Sequence, residues 1–137
     1  MPISSSMNQR FPTVAIFITA TSFAGFALWL GLNPRALLTT FGIESSTPAM
    51  LTEIRAFYGG IEMAIAVAML VLWSRGDVFA ALLIGGLPLA GSAMGRCVGM
   101  VVDGFSITHA GFAVIEAIGC AVCLAGGAIV IKEQRLG

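Results

Sequence analysis

Charge is what this chain has least of. Only 10% of its 137 residues are Asp, Glu, Lys or Arg, whereas a soluble domain carries about 25%. It has one histidine and one tyrosine. The glycine-rich phosphate loop, the Gly-x-Ser-x-Gly elbow and the His-Glu-x-x-His zinc pattern are all absent. These absences leave soluble-enzyme chemistry without a basis. Seven basic and seven acidic residues cancel to a net charge of zero, and no basic run interleaves with aromatics, so nucleic acid is set aside as a partner. No cofactor is implied.

In place of charge there is hydrocarbon. The chain is 58% hydrophobic with a mean hydropathy of +0.97, the composition of a membrane protein. Its length allows about four spans of roughly 20 residues in one domain. The spans are expected at about 11–32, 54–74, 78–96 and 109–131, giving an all-α, up-down integral membrane four-helix bundle. The first of these, Phe11 to Leu32, holds no charged residue; it exceeds the length of a secretory signal core and is expected to stay uncleaved. Asn33 and Pro34 then suit the cap and first turn of a new helix. Apolar residues at 37, 38, 41 and 43 suit either a short interfacial helix or an ordinary loop.

Thr47 as N-cap and Pro48 at the first helical position predict that the second helix begins ahead of the membrane. Leu72-Trp-Ser-Arg-Gly-Asp77 closes it in a tight turn. In span three, Gly85-Gly-Leu-Pro88 predicts a kink or local unwinding, and Asp103-Gly104 marks a turn. Gly59, Gly60, Gly91, Gly95, Gly119, Gly126 and Gly127 are candidates for close helix approach. Arg10, Arg75, Lys132 and Arg135 lie at one end of the spans, and Arg35, Arg55 and Arg96 at the other. That excess places both termini in the cytoplasm.

Two carboxylates, Glu62 and Glu116, fall inside spans, where an ionisable group costs roughly 2.5–3.5 kcal/mol and marks a functional site when a partner can be named. Arg55 precedes Glu62 by seven residues and His109 precedes Glu116 by seven, nearly two full turns of a helix, so each pair shares a face. Spans two and four are thereby expected to be antiparallel neighbours around a polar interior, joined by Arg96, Asp103 and Tyr58. Two readings of this set stand together. The charges form a ligand pocket between spans two, three and four, or they are ion pairs that only fix helix register. Cys120 and Cys123 have Cys-x-x-Cys spacing and are weak metal candidates, with Glu116 and His109 as the natural further ligands; cysteine in an apolar span is more often a small hydrophobe.

Leu38-Thr-Thr-Phe-Gly-Ile43, Glu53-Ile-Arg-Ala-Phe-Tyr-Gly-Gly60, Gly95-Arg96, Asp103-Gly104 and Glu116 resemble the DUF4345 family of small four-span bacterial membrane proteins over nearly the whole chain. The resemblance implies a four-helix bundle in a bacterial inner membrane. It also implies motif positions at Glu53, Arg55, Tyr58, Gly59, Gly60, Arg96, Asp103 and Glu116, and supplies no activity. Similarity to DoxX-like proteins rests on architecture alone.

The functional expectation is a binding or accessory protein holding a lipid-like small molecule at Arg55, Tyr58, Glu62, Arg96, Asp103, His109 and Glu116, with membrane lipid as its surroundings and a homo-oligomer as a further possible assembly. The alternatives are a membrane enzyme using Glu62 and Glu116 as acid and base on a lipid or quinone-like substrate, and a small proton-coupled carrier acting as a dimer.

Overall fold

A computed structural model describes residues 5–136. It contains five helices and, among the described residues, no strand. These are α1 (Ser5–Leu32) and α2 (Arg35–Thr40), then α3 (Pro48–Ser74), α4 (Val78–Val102) and α5 (Ile107–Leu136). The apolar part of α1 is Arg10–Leu32, and it and α3, α4 and α5 are each long and apolar enough to cross a membrane. Their outward faces expose Ile18, Leu87, Met94 and Val114, a surface suited to lipid and costly in water. The chain is a multi-pass integral membrane protein with a four-helix bundle.

The helix boundaries have local causes. At the start of α3 the Thr47 hydroxyl accepts from the Met50 amide at 3.2 Å, with Pro48 behind it in the first turn. Asp77 does the same for α4, accepting from the Ala80 amide at 3.1 Å. The Leu38–Ile43 segment does form a helix end. The Ile43 amide donates to the Leu38 carbonyl at 2.9 Å while Gly42 takes φ +71°, a Schellman closure. Asn33, expected to cap α2, makes no side-chain cap; Pro34 takes that position and has no side-chain acceptor to offer. Span three is not unwound at Gly85–Pro88. It runs unbroken to Val102, because the apolar Cys97–Val102 stretch continues the helix until Asp103 ends it and Gly104 turns with φ +112°.

Helix α1 is the most enclosed, packing against α3, α4 and α5, while α4 packs against both α3 and α5. Spans two and four therefore face each other across the diagonal. Because direction alternates along the bundle, they are parallel, which corrects the antiparallel-neighbour expectation. Similar depth of two charges says nothing about which helices touch.

Two buried clusters hold the bundle. The larger joins Ile16, Ala20, Phe23, Met69, Leu82 and Cys123; the smaller, at the other end, joins Leu30, Leu38 and Ile54. Glycine sets the spacing at chosen points. A Cβ on Gly59 would lie 3.1 Å from the Cα of Gly31, so α1 and α3 meet backbone to backbone. Gly86 lies against the Cys123 side chain and Gly119 against that of Leu89, and Gly126 and Gly127 pack under Leu82 and Phe79. Gly91 and Gly95, expected at such contacts, have open space beside them, and Gly60 faces only the carbonyl of Arg55 in its own helix.

Candidate functional site

The stretch Arg55–Ile61 is wound as a π-helix between the α-helical parts Pro48–Ile54 and Glu62–Ser74 of α3. A π-helix closes i→i+5 bonds and takes more residues per turn than an α-helix, and such segments recur at functional sites. The change in winding cancels the seven-residue argument for Arg55 and Glu62, since seven residues no longer complete two turns. Arg55 accordingly turns away from Glu62: its Nε donates to the Gly31 carbonyl at 3.2 Å, satisfying a free backbone acceptor at the end of α1.

The cation that serves the carboxylates is Arg96. Its Nε lies 3.1 and 3.0 Å from the two Glu116 carboxylate oxygens, and the Ser92 hydroxyl donates to Glu116 Oε1 at 2.7 Å. The two charged side chains retain only 15% and 14% of their exposure. Arg96 Nη1 stands 3.0 Å from His109 Nδ1. A guanidinium can only donate, so Nδ1 accepts and His109 is the neutral tautomer protonated at Nε2. Phe112 lies under the guanidinium, 4.9 Å from ring centroid to Cζ, and Phe41 stacks on the His109 ring at 4.5 Å and 15°. The connection after α2 thus covers the charged cluster, a contact between distant segments that no sequence interval could have indicated.

Beside this cluster is a cavity of about 300 Å³. Its main walls are α1 and α5. Those helices touch at Thr19 and Cys123, whose hydroxyl and thiol are 3.5 Å apart, and at Gly126 against Pro12. Toward the charged end the wall is formed by Ser22, Phe26 and Trp29 on one helix and Phe112, Ile115 and Ile118 on the other. Ile18, Trp29, Ile115 and Ile118 are each about half exposed or more, so the cavity opens sideways between α1 and α5 onto the apolar flank. Tyr58, Glu62, Arg96 and Glu116 form its polar end.

Of the residues chosen from sequence, the structure brings Tyr58, Glu62, Arg96 and Glu116 to one cavity and puts His109 on Arg96. Arg55 is at the end of α1, and Asp103 is exposed at the end of α4. The contribution of α1 was not foreseen. Its polar residues Thr19 and Ser22 were the available signal, in a span otherwise passed over for lack of charge.

Glu62 differs from Glu116 in its partners. Its Oε2 is buried and makes no hydrogen bond, although Arg96 and Glu116 are within electrostatic reach. An unsatisfied buried acceptor costs more than a hydrogen bond returns, about 1–3 kcal/mol and more when charged. Among the described residues no three His, Cys, Asp or Glu side chains are grouped to hold a metal. Cys123 is buried against Thr19, and Glu116 and His109 are committed to Arg96.

Residues 12–126 match the family described as a domain of unknown function, DUF4345, and the chain belongs to that family. No curated protein and no solved structure matches the chain.

Proposed function

We propose that this DUF4345 protein is a non-enzymatic binding protein of the bacterial inner membrane that takes a lipid-like molecule from the bilayer into the cavity between α1 and α5. In this reading the bundle end carrying Arg10, Arg75, Lys132 and Arg135 faces the cytoplasm, as does each terminus. The observation that carries the proposal is the unpartnered Glu62 oxygen at the polar end of a mostly apolar, laterally open cavity. A purely structural ion pair accounts for Arg96 with Glu116 and leaves Glu62 unexplained. An amphipathic molecule entering sideways would cover the exposed aromatic wall with its hydrocarbon and bring a polar head to Glu62.

Binding is favoured over acid–base catalysis because Glu116 is already committed to Arg96 and Ser92. Native mass spectrometry of the full chain released from lipid nanodiscs tests the proposal. Wild type should retain one small molecule per chain. Ser22→Trp, which fills the cavity, should lose it, and Val101→Trp on the outer face should keep it. Equal retention by Ser22→Trp and wild type, or no retention by wild type, rejects the proposal.

A further inference from the structure

The charge count at the polar end identifies the kind of head group. Among the described residues lining the cavity three side chains are charged: Glu62, Arg96 and Glu116. Arg96 and Glu116 neutralise one another through a direct ion pair. Arg96 spends Nε on Glu116 and Nη1 on His109, and Glu116 also receives the Ser92 hydroxyl. One carboxylate, Glu62, remains with a buried oxygen and no donor. From this we infer that the ligand carries a single positive charge on a hydrocarbon body, a lipophilic ammonium, and that Glu62 is its counter-ion. The inference rests on the binding reading above.

The walls agree with that charge. Phe23, Phe26, Trp29 and Phe112 border the same space, and aromatic faces attract ammonium groups most strongly where water is excluded. An anionic head would meet two carboxylates against one guanidinium, whose Nε is held by Glu116. A neutral hydroxyl would supply a donor to Glu62 and leave its charge uncompensated in a low-dielectric setting, where that imbalance is most costly. A proton on Glu62 is another complement in this geometry, so ligand cation and proton compete for the same oxygen.

The test uses the full chain in nanodiscs of zwitterionic lipid, titrated with three twelve-carbon probes: dodecylammonium, which carries both charge and N–H donors, dodecanol and dodecanoate. Trp29 is the reporter, in a Trp73→Phe background; Trp73 makes an edge contact with Phe17 away from the cavity. Dodecylammonium should bind about tenfold tighter than dodecanol, with dodecanoate weakest. Glu62→Gln should bring the ammonium to the level of dodecanol and leave dodecanol unchanged, and Glu62→Asp should keep the preference. Equal affinities in wild type, or a preference that survives Glu62→Gln, overturn the inference. The wild-type comparison decides the matter alone if Glu62→Gln is not recovered folded. Binding of dodecanol and dodecanoate without the ammonium overturns the charge assignment and leaves the binding reading standing. Silence of Trp29 to all three probes ends both.

Discussion

Removing Arg96 should cost far more than removing Glu116, although they are partners in one ion pair. Arg96→Met takes away the one cation among the described residues lining the cavity and leaves Glu116 with just the Ser92 hydroxyl, beside a Glu62 that already lacks a donor. Breaking a buried pair in that way costs about 3–5 kcal/mol, and the lost stacking on Phe112 adds about 0.5–1 kcal/mol. Glu116→Met removes a carboxylate but leaves Arg96 a second one within electrostatic reach, Glu62. Re-pairing should hold that loss to about 1–2 kcal/mol. The double variant Arg96→Met with Glu116→Met should recover to within about 1 kcal/mol of wild type, since apolar replacement of a whole buried pair is often neutral. Unfolding of the full chain in mixed micelles by SDS titration, followed by far-UV circular dichroism, measures all three. A Glu116→Met loss equal to or above that of Arg96→Met would refute the count of one cation against two carboxylates.

Three further outcomes follow from the same contacts. Gly59→Ala places a methyl 3.1 Å from the Gly31 backbone and should cost about 1–3 kcal/mol, read in the same titration; a neutral result would mean α1 and α3 are not in backbone contact. Arg55→Ala removes one exposed bond to Gly31 and should cost no more than about 1 kcal/mol; a loss matching that of Arg96→Met would show that Arg55 is the counter-ion of Glu62 after all. Phe41→Ala uncovers His109 and Phe112, and hydrogen exchange by mass spectrometry should speed up at the start of α5 while the Leu82–Gly86 region stays protected; unchanged exchange in both regions would count against Phe41 as a cover.

The membrane-spanning architecture could be read from the chain because its physical cause is local. An uncharged run such as Phe11–Leu32 has the length of a bilayer, and Thr47 and Asp77 cap helices through amides three residues away. The polar set was legible for a related reason, since charge in an apolar run is conspicuous wherever it occurs. What was not legible depends on winding and adjacency. The π-helix at Arg55–Ile61 moves Arg55 off the face assigned to it by α-helical spacing, and nothing in Arg-Ala-Phe-Tyr-Gly-Gly-Ile encodes that change in a simple periodicity. Which cation pairs with Glu116 was not specified by sequence, and the close packing of α4 on α5 decides it as Arg96. The cavity wall on α1 was missed because that span has no charge. Its part in the site comes from Ser22, Phe26 and Trp29 facing α5, a relation between helices that share no sequence neighbourhood. α4 continues through Pro88 without unwinding because a proline removes one donor, which a helix of 25 residues packed on both sides can sustain.

The central claim is that the space between α1 and α5 holds a molecule whose head group meets Glu62. A density map of the full chain in lipid nanodiscs, at a resolution that shows side chains, measures this directly. The account predicts one elongated density entering between Trp29 and Ile118 and ending within hydrogen-bond or ion-pair distance of the Glu62 carboxylate. A map in which α1 and α5 close on each other, or in which Glu62 is paired only with Arg96 and no density enters, would contradict it.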